Sequence, residues 1–297
     1  MATGGYSDHF VTARDGLRLH LREYGERTAP GLPVVCLPGL ARTTADFDRL
    51  AAALAGDPRR PRRVLALDYR GRGLSDHDPN PDNYSIPVEL DDVLSVLTAR
   101  SVESAAFVGT SRGGLILMAM AALRPGVIAG AVLNDIGPVL EPQGLMRIKG
   151  YVGQLPVPRD FADGAEILRR VSAGQFPRLT DADWLAAARR TWRQDGGRMV
   201  ITYDTGLARA LASFDPAQPL PAIWPQFDAL AAVPLMVIRG ANSDLLSAAT
   251  VAAMRARRQA MTILEIPDQG HAPLLAEADT IARIAEFVVR CEAPAAA

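Results

Sequence analysis

The chain has 297 residues, of which 48% are hydrophobic and 22% charged, and its formal net charge is −1 at pH 7. This length is enough for one large α/β domain, or for such a domain with an insertion. The near-zero charge and ordinary composition argue against a nucleic-acid-binding protein and against an extended acidic tail. We therefore expect the partner to be a small molecule.

Cysteine spacing and hydropathy give no sign of secretion or of insertion into a membrane. Cys36 and Cys291 have no spacing typical of a metal or redox motif. The first eight residues have neither the basic start nor the apolar core of a secretory signal. No stretch reaches the ~18 apolar residues of a membrane span, since Arg124 and Pro125 interrupt the most apolar one. The sequence thus predicts a cytoplasmic protein without a membrane span, either a monomer or a homodimer.

The first third of the chain alternates strand and helix patterns. Polar and apolar residues alternate on both sides of Asp15-Gly16, which predicts an antiparallel hairpin. Compact apolar runs and helical periodicity then predict, in chain order, a strand at 34–37, a helix at 44–55, a strand at 64–67 and a helix at 86–99.

Residues 105–120 combine a short apolar strand, an abrupt turn and an apolar helix. Gly109 and Gly113 flank Ser111 at the G-x-S-x-G spacing, which lets strand and helix approach closely and exposes the serine hydroxyl. The backbone N–H of Arg112, at the helix N-terminus, would face an oxyanion formed beside Ser111. A structural turn and a phosphate-binding loop are the alternative interpretations of such a serine.

Beyond this turn, the regular alternation of strands and helices is interrupted once. A strand at 129–136 precedes a region, 138–228, in which short helical patterns are separated by proline and glycine. Strand and helix patterns return at 235–238, 248–258, 262–266 and 274–290. The pattern predicts an α/β core of residues 1–137 and 229–297, with a mostly parallel sheet covered on both faces, and an inserted helical cap at 138–228.

The segment around Ser111 resembles the nucleophile elbow of the α/β-hydrolase superfamily, which includes esterases, lipases and lactonases. Residues 68–76 also resemble a turn that recurs in this superfamily, and the resemblance covers nearly the whole chain except the cap. It implies a mostly parallel eight-stranded sheet with helices on both faces, and a serine nucleophile followed along the chain by an acid and then a histidine.

In that order, the resemblance assigns the base to His271, because the other histidines, His9, His20 and His77, precede Ser111. Asp244 follows the predicted strand at 235–238 and is the expected acid. Asp135, after the preceding strand, is the alternative, since some members of the superfamily place the acid one strand earlier. Serine needs such a base, and the base needs a carboxylate to hold its tautomer.

The resemblance also places an oxyanion hole in the loop after the strand at 34–37. Pro38 has no N–H to donate, so the backbone N–H groups of Leu40 and Arg112 are the predicted donors. The Pro38-Gly39 pair of this chain departs from the His-Gly pair that many relatives have in this loop.

The implied reaction is hydrolysis of a carboxylic ester or lactone through an acyl-enzyme on Ser111, with neither cofactor nor metal. Two alternatives keep the serine: carbon–carbon bond hydrolysis and cofactor-free perhydrolysis. Ala272 and Leu40 stand where those enzymes commonly carry an aromatic residue and a tryptophan, respectively. A catalytically silent ligand-binding scaffold is the alternative of another class.

The sequence also offers candidate residues for substrate specificity. Arg42 and Arg147 are candidates to bind a substrate carboxylate, although both are equally compatible with solvated surface positions. Trp184 and Trp224 are candidates to line an apolar acyl pocket under the cap, with packing inside the cap as the alternative.

Overall fold

A computed structural model describes residues 5–218 and 220–292. The first four and last five residues of the predicted core domain, and Pro219 of the predicted cap, lie outside that part. Within it the strands are β1 (Tyr6–Thr12), β2 (Arg18–Tyr24), β3 (Val34–Leu37), β4 (Val64–Leu67), β5 (Ala105–Thr110), β6 (Ile128–Asn134), β7 (Trp192–Asp195), β8 (Arg198–Ile201), β9 (Leu235–Gly240) and β10 (Thr262–Ile266). The helices are α1 (Asp48–Ala55), α2 (Ile86–Ala99), α3 (Arg112–Leu123), α4 (Pro142–Tyr151), α5 (Phe161–Ser172), α6 (Asp181–Thr191), α7 (Trp224–Asp228), α8 (Ala248–Arg257) and α9 (Ala278–Arg290).

Eight strands form one sheet in the order β1-β2-β4-β3-β5-β6-β9-β10. Only β2 runs against its neighbours, pairing antiparallel with β1 and β4, while the remaining pairs are parallel. The predicted hairpin around Asp15-Gly16 is confirmed, with Thr12 opposite Arg18. The predicted eight-stranded, mostly parallel sheet is confirmed as well.

Helices cover both faces of this sheet because the central strands are apolar on both sides. In β5, Ala105 and Phe107 belong to the apolar core beneath α2 and α3, while Ala106 and Val108 face the core beneath α1 and α9. The uninterrupted apolar run of β5 is the pattern of a strand buried on both faces.

The chain between β6 and β9 lies outside the sheet. It forms α4 to α7 and includes a two-stranded hairpin of β7 and β8, which the sequence did not predict. Part of this segment has an apolar cluster of its own, built around Trp184, Ala188 and Trp192. We call residues 138–228 the insertion.

Element boundaries differ from expectation at two helices. The predicted helix at 44–55 begins with a 3₁₀ turn, and regular α-helix starts only at Asp48. The last helix starts at Ala278 and not near Leu274, since Leu274 and Leu275 belong to the loop before it. Among the described helices, none is both long and apolar enough to cross a bilayer.

A buried histidine links β2 to the turn after β4. The His20 side chain is 1% exposed, and its ring nitrogens lie 2.6 Å from Asp68 Oδ2 and 2.9 Å from Asp8 Oδ1. Only the imidazolium can donate to both carboxylates, since the neutral ring has a single N–H. Burial lowers the pKa of His20, but hydrogen bonds and charge from Asp68 and Asp8 outweigh it, so the pKa is raised above 6.5.

The raised pKa predicts a pH-dependent contribution of His20 to stability. A group that binds its proton more tightly when folded stabilises fully below the unfolded-state pKa, and the contribution is lost as pH rises through the folded-state pKa. We therefore expect the free energy of unfolding, measured with urea, to fall as pH rises above 6.5. His20→Gln should lose this component, whereas His77→Gln, at a 60% exposed side chain, should keep it. Equal pH dependence in the native protein and His20→Gln would contradict the assignment.

Candidate active site

Ser111 occupies the turn between β5 and α3 with φ 51° and ψ −113°, a backbone conformation that L-residues rarely adopt. Two glycines allow this turn to fit against the sheet. A Cβ added at Gly113 would lie 2.1 Å from the Leu37 carbonyl oxygen, and one at Gly109 would lie 2.7 Å from the Gly113 backbone. The spacing predicted from the sequence is therefore required by close packing.

The loop between β10 and α9 places His271 directly over Ser111. His271 Nε2 lies 2.8 Å from Ser111 Oγ, within hydrogen-bond reach. On the other side of the ring, Nδ1 lies 2.8 Å from Asp135 Oδ2. The Asp135 side chain is fully buried and that of His271 is 5% exposed, so the pair is shielded from water.

Asp135 follows β6 in a left-handed backbone conformation, with φ 55°. Its Oδ1 accepts a hydrogen bond from the Gly240 backbone N–H at 2.8 Å. Its Oδ2 accepts a second from the Ser243 hydroxyl at 2.5 Å. With His271, three groups thus hold this buried carboxylate, as a buried charge requires.

The expectation that Asp244 would contact His271 is corrected by the structure, which brings Asp135 to that position. Asp244 is bound instead by Arg147 of α4, with Nε at 2.6 Å from one carboxylate oxygen and Nη2 at 2.8 Å from the other. The physical reason is that β6 and β9 are neighbours, so the loops after both reach the same edge of the sheet. An arginine of the insertion then takes the second carboxylate in a bidentate pair.

The predicted oxyanion donors are free to bind a ligand. Across the described residues, neither the backbone N–H of Leu40 nor that of Arg112 donates to a protein acceptor. Leu40, Ser111 and His271 line one cavity, and Arg112 begins α3 directly after the serine. Their participation in catalysis stays a prediction.

A buried ion network supports both of these positions from below. The Arg112 side chain turns away from the cavity, its Nε paired with Glu89 and its Nη2 donating to the Tyr84 carbonyl at 2.8 Å. Arg72 Nη1 lies 2.7 Å from Glu89 Oε1, and Arg72 Nε donates to the Leu40 carbonyl at 2.8 Å. The Glu89 carboxylate therefore binds two arginines. Arg112 carries one predicted oxyanion donor on its own backbone, and Arg72 holds the backbone of Leu40, which carries the other.

Glu89 and Arg72 are both fully buried. Burial, with the nearby Arg112 charge, lowers the pKa of Arg72 although Glu89 acts in the opposite direction. The sequence alone does not reveal this network, and its one signal is that two carboxylates, Glu89 and Asp92, fall among the apolar residues of the buried face of the helix at 86–99.

The cavity beside Ser111 lies between the sheet edge and the insertion. Predicted residues Arg42, Arg147 and Trp184 line it, which is consistent with their proposed roles. Its apolar wall comes mainly from the insertion: Ile148, Tyr151, Val152, Leu155, Leu168, Val171, Phe176, Leu179, Trp184 and Tyr203.

The expectation for Trp224 is corrected, because this residue does not line the cavity. It begins α7, where its ring packs edge-on against Phe227 with centroids 5.8 Å apart. The Arg257 guanidinium lies 4.3 Å from its centroid. Trp224 thus contributes to packing between the insertion and α8.

Three further residues near the site carry no signal in the sequence. Gln175, from the loop after α5, accepts a hydrogen bond from the His271 backbone N–H at 2.9 Å. Ser243 holds Asp135, and Arg190 of α6 lines the cavity. None has a short-range motif, since each reaches the site only through tertiary packing.

The Glu89 network predicts a large and specific loss of stability. Glu89→Gln leaves two arginines, one of them fully buried, without their shared carboxylate, and removing one partner of a buried ion pair costs about 3–5 kcal/mol. Urea unfolding monitored by circular dichroism measures this cost. Asp91→Asn, on the same helix but with a 58% exposed side chain, is the matched control and should cost less than ~1 kcal/mol. Similar costs for the two variants would refute a structural role for Glu89.

Comparison with known proteins places this geometry in a family. The family model described as "Alpha/beta hydrolase family" matches residues 34–284. The chain is 36% identical to a 3-hydroxybutyrate-oligomer hydrolase of Cupriavidus necator over 94% of its length and 96% of that protein's. It is 41% identical to the crystal structure of an α/β hydrolase from Novosphingobium aromaticivorans, which superimposes with a TM-score of 0.89 over 97% of this chain and 100% of that one.

A further solved structure, of E-2-(acetamidomethylene)succinate hydrolase, has 22% identity and a TM-score of 0.78, over 96% of this chain and 100% of that one. At this identity the likeness shows the fold alone. The resemblance inferred from the Ser111 turn is confirmed by the family model and the two more similar relatives. The chain belongs to the α/β-hydrolase family.

Proposed function

We propose that the protein is a serine hydrolase of carboxylic esters, with Ser111 as nucleophile, His271 as base and Asp135 as the triad acid. One observation carries the proposal: a single imidazole ring lies 2.8 Å from both the Ser111 hydroxyl and the Asp135 carboxylate. This is the arrangement that activates a serine, whose hydroxyl is otherwise a weak nucleophile at neutral pH.

In the proposed reaction, His271 Nε2 takes the hydroxyl proton while Ser111 Oγ attacks the ester carbonyl carbon. The backbone N–H groups of Leu40 and Arg112 stabilise the oxyanion of the tetrahedral intermediate. The protonated imidazole then donates to the leaving alkoxide, and the acyl group remains on Ser111. Water, deprotonated by the same ring, releases the acid and restores the serine. Asp135 orients the ring and stabilises its cationic form.

The preference for an ester substrate rests on chemistry and on one relative. The relative from Cupriavidus necator is named a 3-hydroxybutyrate-oligomer hydrolase, and oligomers of a hydroxy acid are joined by ester bonds. We propose that this chain cleaves the same class of bond, and lactones, as internal esters, are further candidate substrates. Carbon–carbon bond hydrolysis, perhydrolysis and a silent scaffold have no specific observation in their favour.

We also propose that the insertion, residues 138–228, acts as a cap over the site and selects the acyl group. Most of the apolar cavity wall comes from this segment, including Tyr151, Phe176 and Trp184. An apolar wall beside a few polar groups is the usual composition of a small-molecule site.

The triad proposal predicts opposite outcomes for two aspartates that follow neighbouring strands. Asp135→Asn leaves His271 without its carboxylate and should lower kcat for p-nitrophenyl butyrate on the order of 10⁴-fold. Asp244→Asn removes a partner of Arg147 and should cause a loss at least ~100-fold smaller, because Asp244 does not contact the imidazole. Steady-state kinetics of the purified variants measure both effects.

Thermal unfolding of each variant controls for misfolding, since Asp135 also holds Gly240 and Ser243. A larger loss of kcat in Asp244→Asn than in folded Asp135→Asn would reverse the assignment. Hydrolysis of p-nitrophenyl esters of increasing chain length, beside a panel of lactones, would define the substrate class. A native protein that cleaves none of these compounds would contradict the ester-hydrolase proposal.

A further inference from the structure

The cavity beside Ser111 carries an unusual charge distribution. Arginines from three separate elements line it: Arg42 from the loop after β3, Arg147 from α4 and Arg190 from α6. The described lining residues include neither aspartate nor glutamate. The described lining thus combines apolar side chains with three arginines and contains no acidic group.

Carboxylates outside the cavity lining neutralise only part of the charge of these three arginines. Asp244 forms a bidentate pair with Arg147 and matches its charge. Arg42 and Arg190 share Asp46, whose Oδ1 lies 3.1 Å from Arg42 Nη1 and 3.3 Å from Arg190 Nε. Among the described residues, no other carboxylate lies within 4.0 Å of these three guanidinium groups, so one positive charge is left unmatched.

Hydrogen-bond donors of these arginines are also unused. A guanidinium has five N–H groups. None of those on Arg190 donates a hydrogen bond within the described structure, and its Nε is buried. Arg42 donates only from Nη1, to Asp46. The buried Arg190 Nε is therefore available to an acceptor on a bound ligand, because buried donors are normally paired.

The base of the Arg42 side chain lies close to the nucleophile. A Cβ added to Gly39 would lie 3.3 Å from Arg42 Cγ and 3.7 Å from Ser111 Cβ, so both side chains adjoin the same small space. Arg42 and Ser111 also line the same cavity, so one substrate molecule can place its carbonyl at Ser111 and an anionic group at Arg42.

Resting on the proposed ester hydrolysis, we propose that Arg42 and Arg190 bind a free carboxylate on the substrate, so that the enzyme prefers esters bearing a single negative charge. A planar guanidinium matches the geometry of a carboxylate, and one unmatched positive charge fits a monoanion. The apolar wall contributed by the insertion then holds the carbon chain.

Two pairs of esters test this preference in the native protein at pH 7.5. Mono-p-nitrophenyl glutarate and p-nitrophenyl valerate differ only by a carboxylate in place of a methyl group on the acyl side. 4-Acetoxybutanoate and butyl acetate differ in the same way on the alcohol side. In at least one pair, kcat/KM for the carboxylate ester should be about 10- to 100-fold higher. Equal or lower values for the carboxylate ester in both pairs would overturn the proposal.

Substitution then assigns the preference to these arginines. In Arg42→Gln and Arg190→Gln, the ratio of kcat/KM between the two esters should fall by about tenfold, mainly through KM. Arg193→Gln is the matched control, because this arginine also belongs to the insertion but pairs with Asp195 with a 52% exposed side chain. An undiminished ratio in both test variants, or an equal fall in the control, would contradict the assignment.

A binding measurement separates this proposal from the proposed function. Calorimetric titration of Ser111→Ala with monomethyl glutarate, and with the neutral dimethyl ester, requires no turnover. Tighter binding of the monoanion, lost in Ser111→Ala/Arg190→Gln, supports the carboxylate subsite even if the native protein cleaves none of the esters. Equal binding of both compounds would refute the subsite while leaving ester hydrolysis open.

Discussion

The site depends on one close contact, between the first turn of α3 and the end of β3. Gly113 packs so tightly against Leu37 that a Cβ there would lie 2.1 Å from a carbonyl oxygen. This contact brings the turn that carries Ser111 beside the loop that carries Leu40, and in this turn the serine has a positive φ of 51°. Any side chain at Gly113 would push the nucleophile away from the loop that carries Leu40, one of the predicted oxyanion donors. The geometry of the reacting groups is thus fixed by backbone packing, on which the polar contacts are then built.

Two buried carboxylates, one on each side of this turn, are each stabilised by several polar partners. Above it, Asp135 is fully buried and held by a backbone N–H, a hydroxyl and an imidazole. Below it, Glu89 joins Arg72 and Arg112 beneath Leu40 and the start of α3. Each carboxylate offsets its desolvation through several partners, and each fixes a group at the site. The Arg42–Asp46–Arg190 cluster differs, since its charge is not fully matched within the described structure.

Most of the fold could be predicted from local pattern, because apolar runs, glycine turns and helical periodicity act over short stretches. The same kind of information, with the order that the superfamily resemblance supplies, predicts Ser111 and His271 as the reacting pair, and the structure brings the two side chains together. Asp244 was the wrong partner for His271 because β6 and β9 are neighbours, so the sequence offers two aspartates at one edge. Only tertiary contacts, with Arg147 on one carboxylate and Ser243 on the other, separate them. The hairpin of the insertion, the Glu89 network and Arg190 likewise depend on packing between distant segments.

If the proposed triad operates, Ser111 is an activated nucleophile. Reaction of the native protein with a fluorophosphonate, followed by digestion and mass spectrometry, tests it without knowledge of the substrate. We expect one adduct per chain, located on Ser111, and no labelling of Ser111→Ala or of protein unfolded beforehand. A folded native protein that stays unlabelled, or an adduct on another serine, would contradict it.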